Sequence, residues 1–262
     1  MKVILSRKGF DETAGGMASP ILPDGTLLSL PIPDTTGRAY TDLHYGKYTY
    51  NDILTQLKPN FAHMYCHHDP DIRWGIFDAP AEWKAVFGQD SGSLTHLKNQ
   101  NVGIDDLFLF YGWFRRTEYI DGKLRYVPNE PDLHIIYGYL QVGAILENKE
   151  DIKKYSWHPH ADYGDKNCMY VARDTLSWNS NPGYGVFSYI KRFVLTKDSM
   201  SRSCWNLPAF FEKLKITGAG TNAWKTDPQG NRYCQIANTP GQEFVIEENN
   251  EVTAWAKSLI DG

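Results

Sequence analysis

The chain has 262 residues, a formal net charge of −4 and four cysteines. That length suits one large domain or two small ones and is enough to bury a substantial core. The acidic balance argues against broad coating of duplex DNA, which takes many phosphate contacts from a basic surface; the scattered Cys66, Cys168, Cys204 and Cys234 contain no CxxC pair and argue against a zinc ribbon. Arg7, Lys8 and Asp11 interrupt the apolar start, and no apolar run approaches the roughly 20 residues that span a bilayer. A cytoplasmic protein with reduced thiols, and no membrane partner, is the expectation.

In chain order, Lys2 to Leu5 reads as a strand ending at Ser6-Arg7-Lys8-Gly9, and residues 11–24 as a loop carrying Gly15-Gly16, Pro20 and Pro23. Leu27 to Ile32 reads as a second strand. Tyr48 to Leu57 has a helical pattern with Thr49 or Asn51 as cap. Phe61 to Cys66 reads as a strand that empties into His67-His68-Asp69-Pro70-Asp71. Residues 81–99 are ambiguous, with short helices after Pro80 and over Ser93 to Asn99. Leu107 to Phe114 and Ile135 to Ile145 are dense in Phe, Tyr, Ile and Val and read as strands. Two shorter strands, Arg116 to Ile120 and Leu124 to Val127, flank the turn Asp121-Gly122-Lys123. Met169 to Ala172, Gly185 to Phe187 and Phe193 to Leu195 add further strands. A short helix over Leu207 to Lys213, a hairpin over Trp224 to Ile236, a strand over Gln242 to Ile246 and a helix over Val252 to Ile260 complete the chain. With no repeat and no cutting linker, residues 1–262 read as a single α+β domain: a bent, largely antiparallel β-sheet or barrel core at about residues 100–200, with peripheral helices.

Four constellations could carry chemistry. Arg7 and Lys8 supply phosphate donors at a strand end, Gly9 permits close backbone approach, and Asp11 could act as a base or bond a base edge; the plain alternative is a solvated surface turn. His63, His67, His68, Asp69 and Asp71 form the densest group of metal-type side chains. Strand alternation puts His63 and His67 on one face, but spacing alone does not make three ligands converge, so a hydrogen-bonded loop presenting Asp69 and Asp71 is the preferred reading and no metal ligand is assigned. Trp157-His158-Pro159-His160 aims two imidazoles from a stiff segment, against the alternative of a rigid turn with exposed rings. Gly112-Trp113-Phe114-Arg115 follows the best strand, so Trp113 or Phe114 could stack a base and Arg115 hold a phosphate; either aromatic could equally be core. The sequence has no P-loop, GxGxxG, GxSxG, HExxH or deaminase HxE with PCxxC signature.

Ser6 to Asp11, Ser19 to Gly25, Leu28 to Pro33, Phe108 to Arg115, Gly138-Tyr139-Leu140-Gln141, His158-Pro159-His160, Asn167 and Tyr170 together resemble the bacterial and phage family called the third nucleotide-modification-associated domain. The resemblance runs from the first strand to Gly241-Gln242-Glu243-Phe244. It implies a protein that handles a nucleotide, nucleobase or modified nucleic acid within a DNA modification system, alongside other proteins of that system. The strand pair Asp105 to Tyr111 and Ile136 to Val142 is also similar to PUA-like barrels, which bind modified bases. Asp11, His158 and His160 are then the candidates for proton transfer, and Arg7, Lys8, Asp69, Trp113, Phe114, Arg115 and Asn167 for ligand binding. No cofactor is expected and a divalent metal is left open. Whether the protein is an enzyme, a non-catalytic reader of modified DNA or a metal-dependent nuclease also stays open.

Overall fold

The computed structural model describes residues 1–218, 223–237 and 243–262. Two strands of 14 residues each, Leu107–Ile120 and Leu133–Leu146, form its spine. They pair antiparallel from Leu133 opposite Phe114 to Gln141 opposite Leu107, with a register slip between Ile136 and Gly138. The residues expected to make a separate Arg116 to Ile120 strand simply continue the first of them.

Val3–Arg7 lies parallel to Leu107–Ile120 and antiparallel to Glu243–Ile246. All five of its side chains are buried, which is why it reads as a continuous apolar run rather than an alternating one. On the other side, Leu133–Leu146 is followed by Asn167–Ala172 and then Val86–Asp90. Short strands extend the sheet: Ile216–Thr217 beyond Glu243–Ile246, Ser19–Ile21 and Lys123–Tyr126 on the far half of Leu107–Ile120, and Tyr184–Val186 on Leu133–Leu146. The result is a curled, mostly antiparallel sheet, a half-barrel with small helices around it, so the α+β expectation holds. Phe108 and Phe110 lie on one face because they are two apart. They meet Phe87 from across the curl at ring separations of 5.0 and 5.3 Å. Such edge-to-face pairs add about 0.5–1.5 kcal/mol each beyond area burial.

Four α-helices occur among the described residues: α1 (Tyr50–Leu57), α2 (Ser91–Asn99), α3 (Lys149–Lys153) and α4 (Asn250–Asp261). α1 begins at Thr49 with a reciprocal capping box: Thr49 Oγ1 accepts from the Asp52 amide and Asp52 accepts from the Thr49 amide. α2 packs on Val86–Asp90 and α4 on Val3–Arg7. No helix among the described residues is long and apolar enough to cross a membrane.

Several boundaries differ from the sequence reading. Leu27, Leu28 and Leu30 are fully buried but enter the core from irregular chain, and the strand there is Ile32–Asp34. It pairs antiparallel with Tyr65–His67, displaced from the expected Phe61 to Cys66, and Arg38–Ala39 lies on the other side of that strand. Ser19–Ile21 forms a strand inside the expected loop. Phe193 ends a 3-10 turn instead of starting a strand, and Leu207 to Lys213 holds a 3-10 turn over Ala209–Lys213. The hairpin at Ala223–Thr226 and Arg232–Gln235 is present. Gln242 lies outside the described residues, and the last strand starts at Glu243.

Candidate functional site

A cleft of about 480 Å³ opens at the end of Val3–Arg7, within the range usual for small-molecule pockets. Four structural units wall it. The central strand and the turn after it supply Arg7, Lys8, Gly9 and Asp11. The small sheet supplies Asp34 and His67, with Asp69 just beyond. Val86–Asp90 supplies Gly88, Gln89 and Asp90, and the 3-10 turn Pro159–Asp162 with Tyr163 supplies the remaining face, including His160.

Two glycines are required by this arrangement. Gly9 sits at φ +80, and a Cβ there would lie 2.7 Å from Ser29 Oγ; only glycine takes that conformation at no steric cost. Gly88 stands directly beneath the His160 ring, where a Cβ would come within 2.3 Å of ring carbons. The same residue's amide donates to Asp69 Oδ1 at 2.7 Å. A strand residue without a side chain thus lets an imidazole lie flat on the sheet while its backbone holds a carboxylate.

Asp69 anchors the polar network. Its Oδ1 also accepts from His158 Nε2 at 3.1 Å, with side chains 4% and 0% exposed. Burial pushes the Asp69 carboxyl up, but the His158 hydrogen bond and nearby cations outweigh it and hold the group well below the usual carboxylate range. The His160 amide donates to His158 Nδ1 at 3.3 Å, so the His158 proton sits on Nε2, facing Asp69. His160 Nδ1 meets Asn167 Oδ1 at 2.7 Å, and Asn167 Nδ2 donates back to the His160 carbonyl at 2.7 Å. That second bond fixes which end of the amide is oxygen, hence Nδ1 of His160 carries the hydrogen and Nε2 keeps its lone pair. Burial pulls the His160 imidazole down to about 4, so the ring is neutral near pH 7. His67 is likewise lowered by burial. Its Nδ1 lies 3.2 Å from Tyr163 Oη and 3.7 Å from Asp34 Oδ2. One ligand-type atom from each of His67, Asp69 and His160 lies within 4.8 Å of the other two.

On the opposite wall, the Lys8 ammonium lies 3.1 Å from Glu243 Oε1 and 4.3 Å from the Phe87 ring centre. Gln89 Nε2 donates to the same Glu243 oxygen at 2.8 Å. Burial raises the Glu243 carboxyl, and the last strand thereby fixes where the Lys8 cation stands. Arg7 is almost fully buried and lines the cleft from below. Asp11 is on the rim, where its Oδ1 accepts from the Thr13 amide, the Thr13 hydroxyl and the Ala14 amide, closing its own loop.

The cleft therefore gathers Arg7, Lys8, Asp11, Asp69 and His160 from the residues singled out in the sequence. His158 and Asn167 stand behind it, orienting Asp69 and His160. Trp113, Phe114 and Arg115 do not line it. Arg202 lies 4.3 Å over the Trp113 ring, Phe114 is fully buried against Tyr137, and Arg115 donates to the Val127 carbonyl at 3.4 Å. Asp71, expected to be presented with Asp69, is buried and accepts from Trp83 Nε1 at 2.8 Å; burial lifts its carboxyl to about 7. His63 is exposed and apart from His67 because the strand is only Tyr65–His67. Sequence reasoning passed over Asp34, Gly88, Gln89, Tyr163 and Glu243. Of these only Gly88, a glycine between Val-Phe and Gln-Asp, carried a signal of close approach.

No curated protein and no solved structure matches the chain, and the PUA-like resemblance is not confirmed. A family model described as nucleotide modification associated domain 3 matches residues 2–247, nearly the whole of the sheet and every residue of the cleft, and the chain belongs to that family.

Proposed function

We propose that the protein binds a nucleotide or nucleobase in this cleft and acts on it or reads it there. The observation that carries the reading is the division of one cleft into two chemically distinct walls, in a chain of a nucleotide-modification family. Arg7 and Lys8 present cationic donors suited to phosphate. Across from them, His67, Asp69 and His160 present acceptors suited to the edge of a base or to a proton in transit. His160 is neutral with Nε2 unprotonated, the state a base needs. A cleft lined by two cations, Arg7 and Lys8, in a chain of net charge −4 fits a single nucleotide or an extruded base better than a length of duplex.

A thermal-shift series tests this, using nucleoside monophosphates, the matching nucleosides, and short single- and double-stranded DNA with and without modified bases. A ligand of the folded state raises its melting temperature by mass action. The expected result is stabilisation by a mononucleotide, reduced in Lys8→Met when each protein is compared with its own unliganded state. Stabilisation by modified DNA alone replaces a free nucleotide with a base read in the strand. No shift with any of them overturns the proposal.

A further inference from the structure

We infer that His67, Asp69 and His160 are the protein ligands of a divalent first-row transition-metal ion. The inference stands on ligand geometry and not on the nucleotide reading above, and it can fail separately.

Convergence is the first argument. The three residues come from two distant segments, yet one donor atom of each lies within 4.8 Å of the others at the wall of an open cleft. On an ion with bonds near 2.0–2.2 Å, neighbouring ligands stand about 3 to 3.5 Å apart. The His67 ring is only partly buried at the cleft surface, and an ion held by all three residues requires that it turn to close that gap.

Orientation is the second. A metal-bound imidazole typically donates its other ring N–H to a carboxylate, carbonyl or water, and a ligating carboxylate is itself hydrogen-bonded. Asp69 and His160 meet that requirement, and His67 has polar groups on the Nδ1 side of its ring. His160 gives its Nδ1 hydrogen to Asn167, whose own amide is locked by the His160 carbonyl. His67 Nδ1 faces Asp34 Oδ2 and Tyr163 Oη, which turns Nε2 the other way. Asp69 spends Oδ1 on the Gly88 amide and His158 Nε2, so Oδ2 is the oxygen left for a cation.

The donor set is two neutral nitrogens and one carboxylate oxygen. That combination suits Fe(II), Mn(II), Co(II) or Zn(II), and three protein ligands leave coordination positions for water or a substrate oxygen on the side of the cleft where Lys8 stands. A hydrogen-bonded cluster with no ion accounts for Asp69 and His158; it gives no reason for two imidazole edges, each held from behind, to aim at the same carboxylate.

The test uses the full chain, stripped with chelator and loaded with Mn(II), Co(II) or Zn(II) in the absence of nucleotide. One ion per chain is expected after gel filtration. In His67→Gln and His160→Gln the bound ion is lost, and in Asn167→Leu affinity drops about 10- to 100-fold through loss of ring orientation. The exposed His44 and His63 serve as controls, and their replacement by Gln leaves the stoichiometry unchanged. Pulsed EPR of the Mn(II)-loaded wild-type chain needs no variant and is expected to show imidazole nitrogen coupling. Failure of all three ions to bind, retention of the ion in folded His67→Gln and His160→Gln, or a Mn(II) spectrum without nitrogen coupling overturns the inference. Nucleotide binding measured on stripped and loaded protein separates this failure from that of the nucleotide reading.

Discussion

Two stretches look alike as sequence and diverge as structure: Arg7 to Asp11, with the histidines that meet it, and Trp113 to Arg115. Both follow apolar strands and both mix basic with polar or aromatic side chains. Trp113, Phe114 and Arg115 are packed in by their surroundings: Arg202 over the indole, Tyr137 against Phe114, and the Val127 carbonyl and Tyr126 ring beside the Arg115 guanidinium, although the buried Trp113 Nε1 and Arg115 Nε meet no hydrogen-bond partner among the described residues. The Arg7 end is different. Its partners arrive from Asp34, from His67 and Asp69, from Gly88 to Asp90, from His160 and Tyr163 and from Glu243, and what they leave between them is a cleft. Around Trp113 to Arg115 the neighbouring side chains close in, whereas at the Arg7 end the converging segments leave open volume.

Three substitutions sharpen that contrast. Phe114→Ala empties a fully buried site, and the expected loss is about 3–5 kcal/mol by urea denaturation. Ligand affinity of the folded fraction is unchanged, because the ring is core and not cleft; a selective loss of affinity at unaltered stability would reverse the assignment. Gly88→Ala forces a methyl against the His160 ring, at an expected cost of about 1–3 kcal/mol. Here the effect on nucleotide and metal binding exceeds that of Phe114→Ala although the stability loss is smaller, and isothermal titration beside a melt separates the two. Thr49→Ala removes one half of the α1 capping box, at a residue that lines neither the cleft nor the Trp113 to Arg115 packing, and is expected to cost about 1 kcal/mol with binding untouched.

The same cap gives a pH signature. Hydrogen bonds from the Thr49 amide and hydroxyl hold the Asp52 carboxyl below its ordinary value of 3.8. A carboxyl whose folded value is depressed contributes stability above the unfolded value and loses it as pH falls through the folded one. The stability difference between wild type and Asp52→Asn therefore shrinks as pH drops below about 4, measured by urea midpoints at a series of pH values.

The elements that were legible are those whose signals are local. The helical pattern of Tyr48 to Leu57 with Thr49 or Asn51 as cap marked α1, and the two aromatic strands marked the spine of the half-barrel. Val86–Asp90 was not legible: its five residues end in Gly-Gln-Asp, and what makes them a strand is pairing with Asn167–Ala172. Leu27 to Ile32 misled in the opposite sense, since burial of Leu27, Leu28 and Leu30 by surrounding elements needs no strand. In the site, Arg7, Lys8, Asp11, Asp69 and His160 could be named from residue type and clustering. Their grouping could not, because it depends on which sheet edge faces which loop. Alternation placed His158 and His160 side by side on one face. In the folded chain Pro159 opens a 3-10 turn, one imidazole goes behind Asp69 and the other into the cleft.

The pairing of Val3–Arg7 with Glu243–Ile246 has a consequence for how the protein is made. The cation of Lys8 is set by Glu243, a residue synthesised well after the long hairpin. During synthesis the long hairpin can assemble while the cleft still lacks the group that positions its lysine. The Lys8 wall of the cleft is thus completed later than the hairpin beside it, and a cut just before Glu243 would remove the carboxylate that positions the lysine.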